Sequence, residues 1–161
     1  MFIRYRLLSA CCMSWLVACF VPAPAIAQDG LSAADTREIG AYVLTEGALA
    51  KYTLAAGNLS KLSKIPGLCA DDDNAESLAA MVKRVDGVAA ARSAIVSAGM
   101  TTREFVVFTV AMFTNGFAAL APQGTPLPPG ASKANADFFR AHVAAFEAIP
   151  KSKDCGDDDE R

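Results

Sequence analysis

Beyond residue 30, apolar positions recur at helical spacing along nearly the whole chain, and the strict alternation of a half-buried strand is absent. Four segments carry the pattern. The first helix is predicted over 33–61, opened by Ser32 with Asp35 three residues on, and closed by "KIPG", where Pro66 and Gly67 break the chain. The second starts behind Asp73, with Glu76 placed to reach back, and ends near Ala98 at Gly99. The third opens at "TTRE", with Thr101 and Glu104 as a capping pair, and runs to about Leu120 before Pro122. "PQGTPLPPGAS", residues 122–132, is an extended connector rich in proline and glycine, and a fourth helix follows over 133–149.

Four helices sharing one apolar seam predict an all-α four-helix bundle with a long Pro/Gly-rich connector between helices 3 and 4. The third helix, "FVVFTVAMFTNGFAAL", is apolar all round. Its length and its Thr109, Thr114 and Asn115 weaken a membrane reading, so it is expected to be the central buried element.

Three ionisable residues interrupt the apolar faces. At 100° per residue, Glu46 falls among Ile39, Tyr42, Val43 and Leu49. Arg92 takes the position seven beyond Val85 in the stripe Leu78, Met81, Val85, Val88, Ile95. His142 lies among Phe138, Phe139, Phe146 and Ile149. Each has a bland reading: Arg92 lays its methylenes on the seam and sends its guanidinium to water, Glu46 tilts out at a bundle end, and His142 is a core histidine bonded to a neighbour. The helix lengths nonetheless put Glu46 and Arg92 at one height in an antiparallel pair, ~26 Å below their shared turn. A connector of this length reaches ~36 Å, enough to return helix four parallel to helix three and lift His142 into the same layer. A buried polar network of Glu46, Arg92 and His142 is therefore the expectation, structural rather than catalytic.

The first 27 residues change the compartment. Arg4 and Arg6, the apolar run "LLSACCMSWLVACFV" and the small-x-small ending Ala25-Ile26-Ala27 form a secretory signal of bacterial type, giving a mature N-terminus at Gln28 and a periplasmic or secreted protein. A rival cut at "LVAC" leaves Cys19 lipidated and the protein anchored to a membrane. The chain thus divides into a signal (1–27), a helical domain (28–150) and an acidic polar tail (151–161). Export removes Cys11, Cys12 and Cys19, leaving Cys69 and Cys155, which an oxidising periplasm would pair; the parallel fourth helix would bring both to one end. Losing Arg4 and Arg6 leaves 13 of 15 basic residues against 17 acids, a formal charge of −4 rather than −2. A mildly acidic chain with no basic stripe argues against nucleic acid as partner.

Candidate chemistry is sparse. The chain has one histidine and no CxxCH, HExxH, GxSxG or glycine-rich phosphate loop, so no catalytic residue, metal ligand set or cofactor is assigned. The acidic clusters "LCADDDN" and "DCGDDDE" fail as calcium loops: in the first, Ala75 stands at the third ligand position and Glu76 where the turn glycine is required. Three function classes remain. The favoured one is a non-enzymatic module of the cell envelope that binds a small ligand or an envelope protein, or serves structurally. The second is a haem or metal carrier using His142 with Met81, Met100 or Met112. The third is an enzyme with a Glu46/His142 acid–base pair.

Overall fold

The computed structural model describes residues 30–62, 77–122 and 124–150. These residues form an all-α fold of α1 (Ala33–Ala41), α2 (Glu46–Leu59), α3 (Leu78–Asp86), α4 (Ala89–Ser97), α5 (Thr102–Leu120), α6 (Lys133–Ala141) and α7 (Val143–Glu147), with no strand among them. Residues 1–27, both acidic clusters and the expected pair Cys69 and Cys155 lie outside the described residues.

Local chemistry explains most helix starts. Ser32 and Asp35 make the reciprocal capping box at α1: the Ser32 side chain accepts from the Asp35 amide at 3.1 Å and the Asp35 carboxylate accepts from the Ser32 amide at 3.0 Å. Thr45, Ser77, Thr101 and Ser132 each accept from an amide three residues on and open α2, α3, α5 and α6. The second helical stretch is thus first described from its Ser77 cap. Gly99, at φ 80°, ends α4 where the pattern placed the stop, since only glycine takes that conformation without a Cβ penalty.

Three of the four expected helices are interrupted. The first breaks at residues 42–45, where Tyr42 turns extended (φ −70°, ψ 131°) and Thr45 starts a new helix. The second breaks at Gly87 and Val88, just after α3, and the fourth at His142 (φ −121°, ψ 20°) between α6 and α7. Only α5 runs unbroken through its predicted span.

α5 packs against α1, α2, α3, α4 and α6 and is the centre of the fold. Its buried Val106, Val107, Phe108 and Ala111 meet Ile39, Leu49, Tyr52, Leu78 and Ile95 in one core. Tyr52 is sandwiched there, stacked on Phe105 with centroids 4.8 Å apart and on Phe108 at 4.4 Å. By length and composition alone α5 could cross a membrane, but nearly half of its apolar window is buried inside this fold.

The parallel fourth helix expected from the connector's reach does not form. The Ser132 amide, at the start of α6, donates to the Asn115 side chain at 2.9 Å, while Arg140, near its end, donates to the Ala119 and Ala118 carbonyls at 2.9 and 3.4 Å. Further on, Ala136 packs with Ala118 and Ala119, Phe139 meets Gly116, and Phe146 lines a groove with Met112 and Phe113, so the fourth helical stretch crosses α5 instead of running parallel to it. Gly116 permits the crossing: a Cβ there would lie 3.1 Å from the Phe139 ring. Arg140 closes the end of α5 by supplying a cation and donors to its last carbonyls.

Candidate functional site

The three residues expected in a buried network are placed apart from it. Arg92 is exposed on α4. The stripe from Leu78 to Ile95 spans Gly87–Val88, where the helix stops and restarts; the new phase buries Ala91, Ala94 and Ile95 and leaves Arg92 outside. Glu46 is the first residue of α2, its side chain 84% exposed. Its inward phase required an unbroken helix through 42–45; at a helix start the carboxylate faces water beside free amides and the positive end of the dipole.

His142 and Glu46 do meet, with Nε2 3.4 Å from Oε1, at the surface. The imidazole is half-buried and stacks on Phe138 with centroids 4.1 Å apart, and its Nδ1 lies 2.8 Å from the Phe138 carbonyl. A carbonyl only accepts, so Nδ1 carries the hydrogen, and Nε2 can donate to Glu46 only when the ring is protonated. Both ring nitrogens face protein partners, and neither residue lines the two grooves described below. Among the described residues no group of three or more His, Cys, Asp and Glu side chains is placed to hold a metal.

Among the described residues the buried polar side chains are Thr102, whose hydroxyl donates to Asp86 at 2.7 Å, and two asparagines. Asn135, 2% exposed, accepts from the Leu44 amide at 2.9 Å and donates to the Tyr42 carbonyl at 2.7 Å, which ties α6 to the break between α1 and α2. Asn115, fully enclosed, donates to the Ala111 carbonyl at 2.8 Å and accepts from the Ser132 amide. A neutral amide offers both donor and acceptor, so it can satisfy backbone groups that an interrupted helix leaves open. Asn135 was legible in principle: it stands three and four positions before Phe138 and Phe139, on the same face of the helix.

Two open grooves flank α5. One, of about 260 Å³, lies between α3 and α5 and is lined by Met81, Val85, Phe105, Val106 and Thr109 with Arg84 at its side. The other, of about 330 Å³, lies between α5 and the α6–α7 pair; Phe113, Phe117 and Leu120 form one wall, Phe139 and Phe146 the other, and Glu147 is its one charged lining residue. Phe113, Phe117 and Leu120 are 58, 73 and 77% exposed, at spacings of four and three along α5. They account for the all-round apolarity of this helix: one face is core and another is a surface stripe.

Charges near this groove are mostly neutralised locally. Asp137 accepts from Lys133 at 2.6 Å and from Arg140 at 2.7 Å, and the lysine bond in particular holds its carboxyl below the usual carboxylate range. In the core, burial pushes the Tyr52 hydroxyl above its ordinary value, although the Thr109 hydroxyl 3.1 Å away favours the phenolate. Comparison with known proteins supplies no guide to the site: no family model, no curated protein and no solved structure matches the chain.

Proposed function

We propose that the protein is a secreted, periplasmic helical module that binds an apolar ligand or envelope partner in the groove between α5 and α6–α7, without catalysis. The observation that carries this reading is the stripe of Phe113, Phe117 and Leu120, three large apolar side chains exposed together along a groove of about 330 Å³. Large exposed apolar side chains that stand together mark interaction surfaces, because leaving them in water costs ~25 cal/mol for each Å². Within this reading the helices act as four rods of a bundle, three of them interrupted, and the proline- and glycine-rich stretch over 122–132 is the connector that lets the last rod cross α5.

The uncharged fluorophore N-phenylnaphthylamine tests the binding surface. The mature protein should enhance its emission, and Phe117→Ser with Leu120→Ser should abolish that enhancement while the melting temperature holds, since both side chains stand in solvent. Equal enhancement by the variant would refute the reading. Export is tested separately, by the intact mass of the secreted form. A chain beginning at Gln28 supports the periplasmic assignment, and a lipid adduct on Cys19 replaces it with a membrane anchor.

A further inference from the structure

Asn115 and Gly116 stand side by side on α5, and the crossing of α5 by α6 asks for both. Asn115 is needed for its amide, which accepts from the Ser132 N–H at 2.9 Å and donates to the Ala111 carbonyl at 2.8 Å. Gly116 is needed for its missing side chain, since a Cβ would lie 3.1 Å from the Phe139 ring. The pair is also the one Asn-Gly in the sequence; Asn58, Asn74 and Asn135 precede Leu59, Ala75 and Ala136. Asn-Gly is the dipeptide most prone to lose its side-chain amide, because glycine has no Cβ to shield the backbone nitrogen that attacks.

We infer that Asn115–Gly116 is a latent deamidation site: the native fold holds it inert, and its reaction in an unfolded copy bars that copy from refolding. Water is the only co-reactant. The Gly116 nitrogen, giving up its proton, forms a bond to Asn115 Cγ; the bond from Cγ to Nδ2 breaks, and ammonia leaves with that proton. The succinimide ring so formed takes up water at one of its two carbonyls. Opening at one gives aspartate, and at the other isoaspartate, in which the backbone runs through the former side chain.

The native structure opposes the first step in three ways. Gly116 lies inside α5, where its N–H is committed to the helical ladder and its nitrogen is held away from the Asn115 side chain. The Asn115 amide is pinned by bonds at both its oxygen and its nitrogen. At 0% exposure it is also out of reach of the water and base that the reaction uses. Unfolding removes all three together, so the rate follows the population of open chains.

The products do not fit the place left for them. A carboxylate has no hydrogen for the Ala111 carbonyl, and its charge would be enclosed while Lys133 and Arg140, cations of α6, are turned to Asp137. Isoaspartate adds a carbon to the backbone within α5 and puts its hydrogen-bond ladder out of step. Since α5 is the centre of the fold, neither product rebuilds the crossing. Unfolding then becomes irreversible through chemical modification of the open chain.

The experiment incubates the full mature protein at mildly alkaline pH, folded in buffer and unfolded in guanidinium chloride. Conversion is followed by mass spectrometry, with fragmentation of the tryptic peptide 104–133 to localise it at Asn115. Unfolded chains should convert at least about a hundredfold faster than folded ones, and within the unfolding transition the rate should follow the fraction unfolded. Equal rates in the two states would overturn the guarding by the fold. Unfolded chains that convert Asn115 no faster than Asn58 would overturn the site itself. Gly116→Ala, measured only in the unfolded state so that folding does not enter, should remove the excess over Asn58; an unchanged rate would overturn the role of the glycine. Partly converted chains are then returned to buffer, and the folded, protease-resistant fraction is mapped. It should retain asparagine at 115 and leave aspartate and isoaspartate in the remainder. The same proportion of converted chains in both fractions would overturn the bar to refolding.

Discussion

Asn135 and Glu46 stand on either side of the same interruption, the extended residues between α1 and α2, and the molecule treats them oppositely. The amide is 2% exposed and bonds Tyr42 and Leu44 across the break; the carboxylate, two residues beyond Leu44, is 84% exposed and reaches only the rim of His142. A buried carboxylate would need a compensating cation, and Arg92 is on another face. A buried asparagine needs only one amide and one carbonyl, and a broken helix supplies both. The polar side chain that bridges this break is therefore neutral, and the charged Glu46 and Arg92 remain in water.

The sharpest way to break that contrast is Asn135→Leu. It leaves the buried Leu44 amide and the part-buried Tyr42 carbonyl unpaired, and should cost about 3 kcal/mol in chemical denaturation. A loss under 1 kcal/mol would show that the break holds without the amide. Gly116→Val comes next. Its side chain meets the Phe139 ring where α6 crosses α5, so an overpacking penalty of about 2 kcal/mol is expected, with weaker protection from hydrogen exchange in α6 than in α2.

Alkaline pH sharpens the picture of the core. The raised folded-state value of Tyr52 means its contribution to stability is full below the ordinary 10.0 and is lost as pH rises beyond it. Absorbance near 295 nm should show late tyrosine ionisation that Tyr52→Phe reduces, the remainder belonging to Tyr42, which burial and Glu104 also push up. At the surface, Glu46→Ala should cost less than about 1 kcal/mol, since its partner is reached at 3.4 Å in water. A loss near 3 kcal/mol would restore the buried network. Arg92→Ala should fall within about 0.5 kcal/mol of the parent.

The pattern of the chain was a good guide where a helix ran without interruption. α5 begins at its Thr101 cap and ends at Leu120 within a residue of expectation, and Ser32 and Gly99 act as start and stop. The breaks were partly legible. Asp86–Gly87 is a turn-forming dipeptide, and Thr45 followed by Glu46 is a helix start, although neither is strong enough to compel a break. The side chains of Glu46 and Arg92 were misplaced for one reason: phase was carried across points where the helix is rewound. A one-residue change of phase turns a side chain by 100°, enough to move it from core to water.

By itself the sequence determined that the described chain is helical, where α1 and α5 are capped and that α5 lies at the centre, because capping bonds and apolar periodicity act within a few residues. Which polar groups are buried, how α6 crosses α5 and which apolar side chains stay exposed were decided only by tertiary structure. Asn135 finds its partners 91 and 93 positions away, and Phe117 is exposed because α6 crosses α5 beside it without covering it. No local rule contains either fact, since each depends on what the rest of the chain brings alongside.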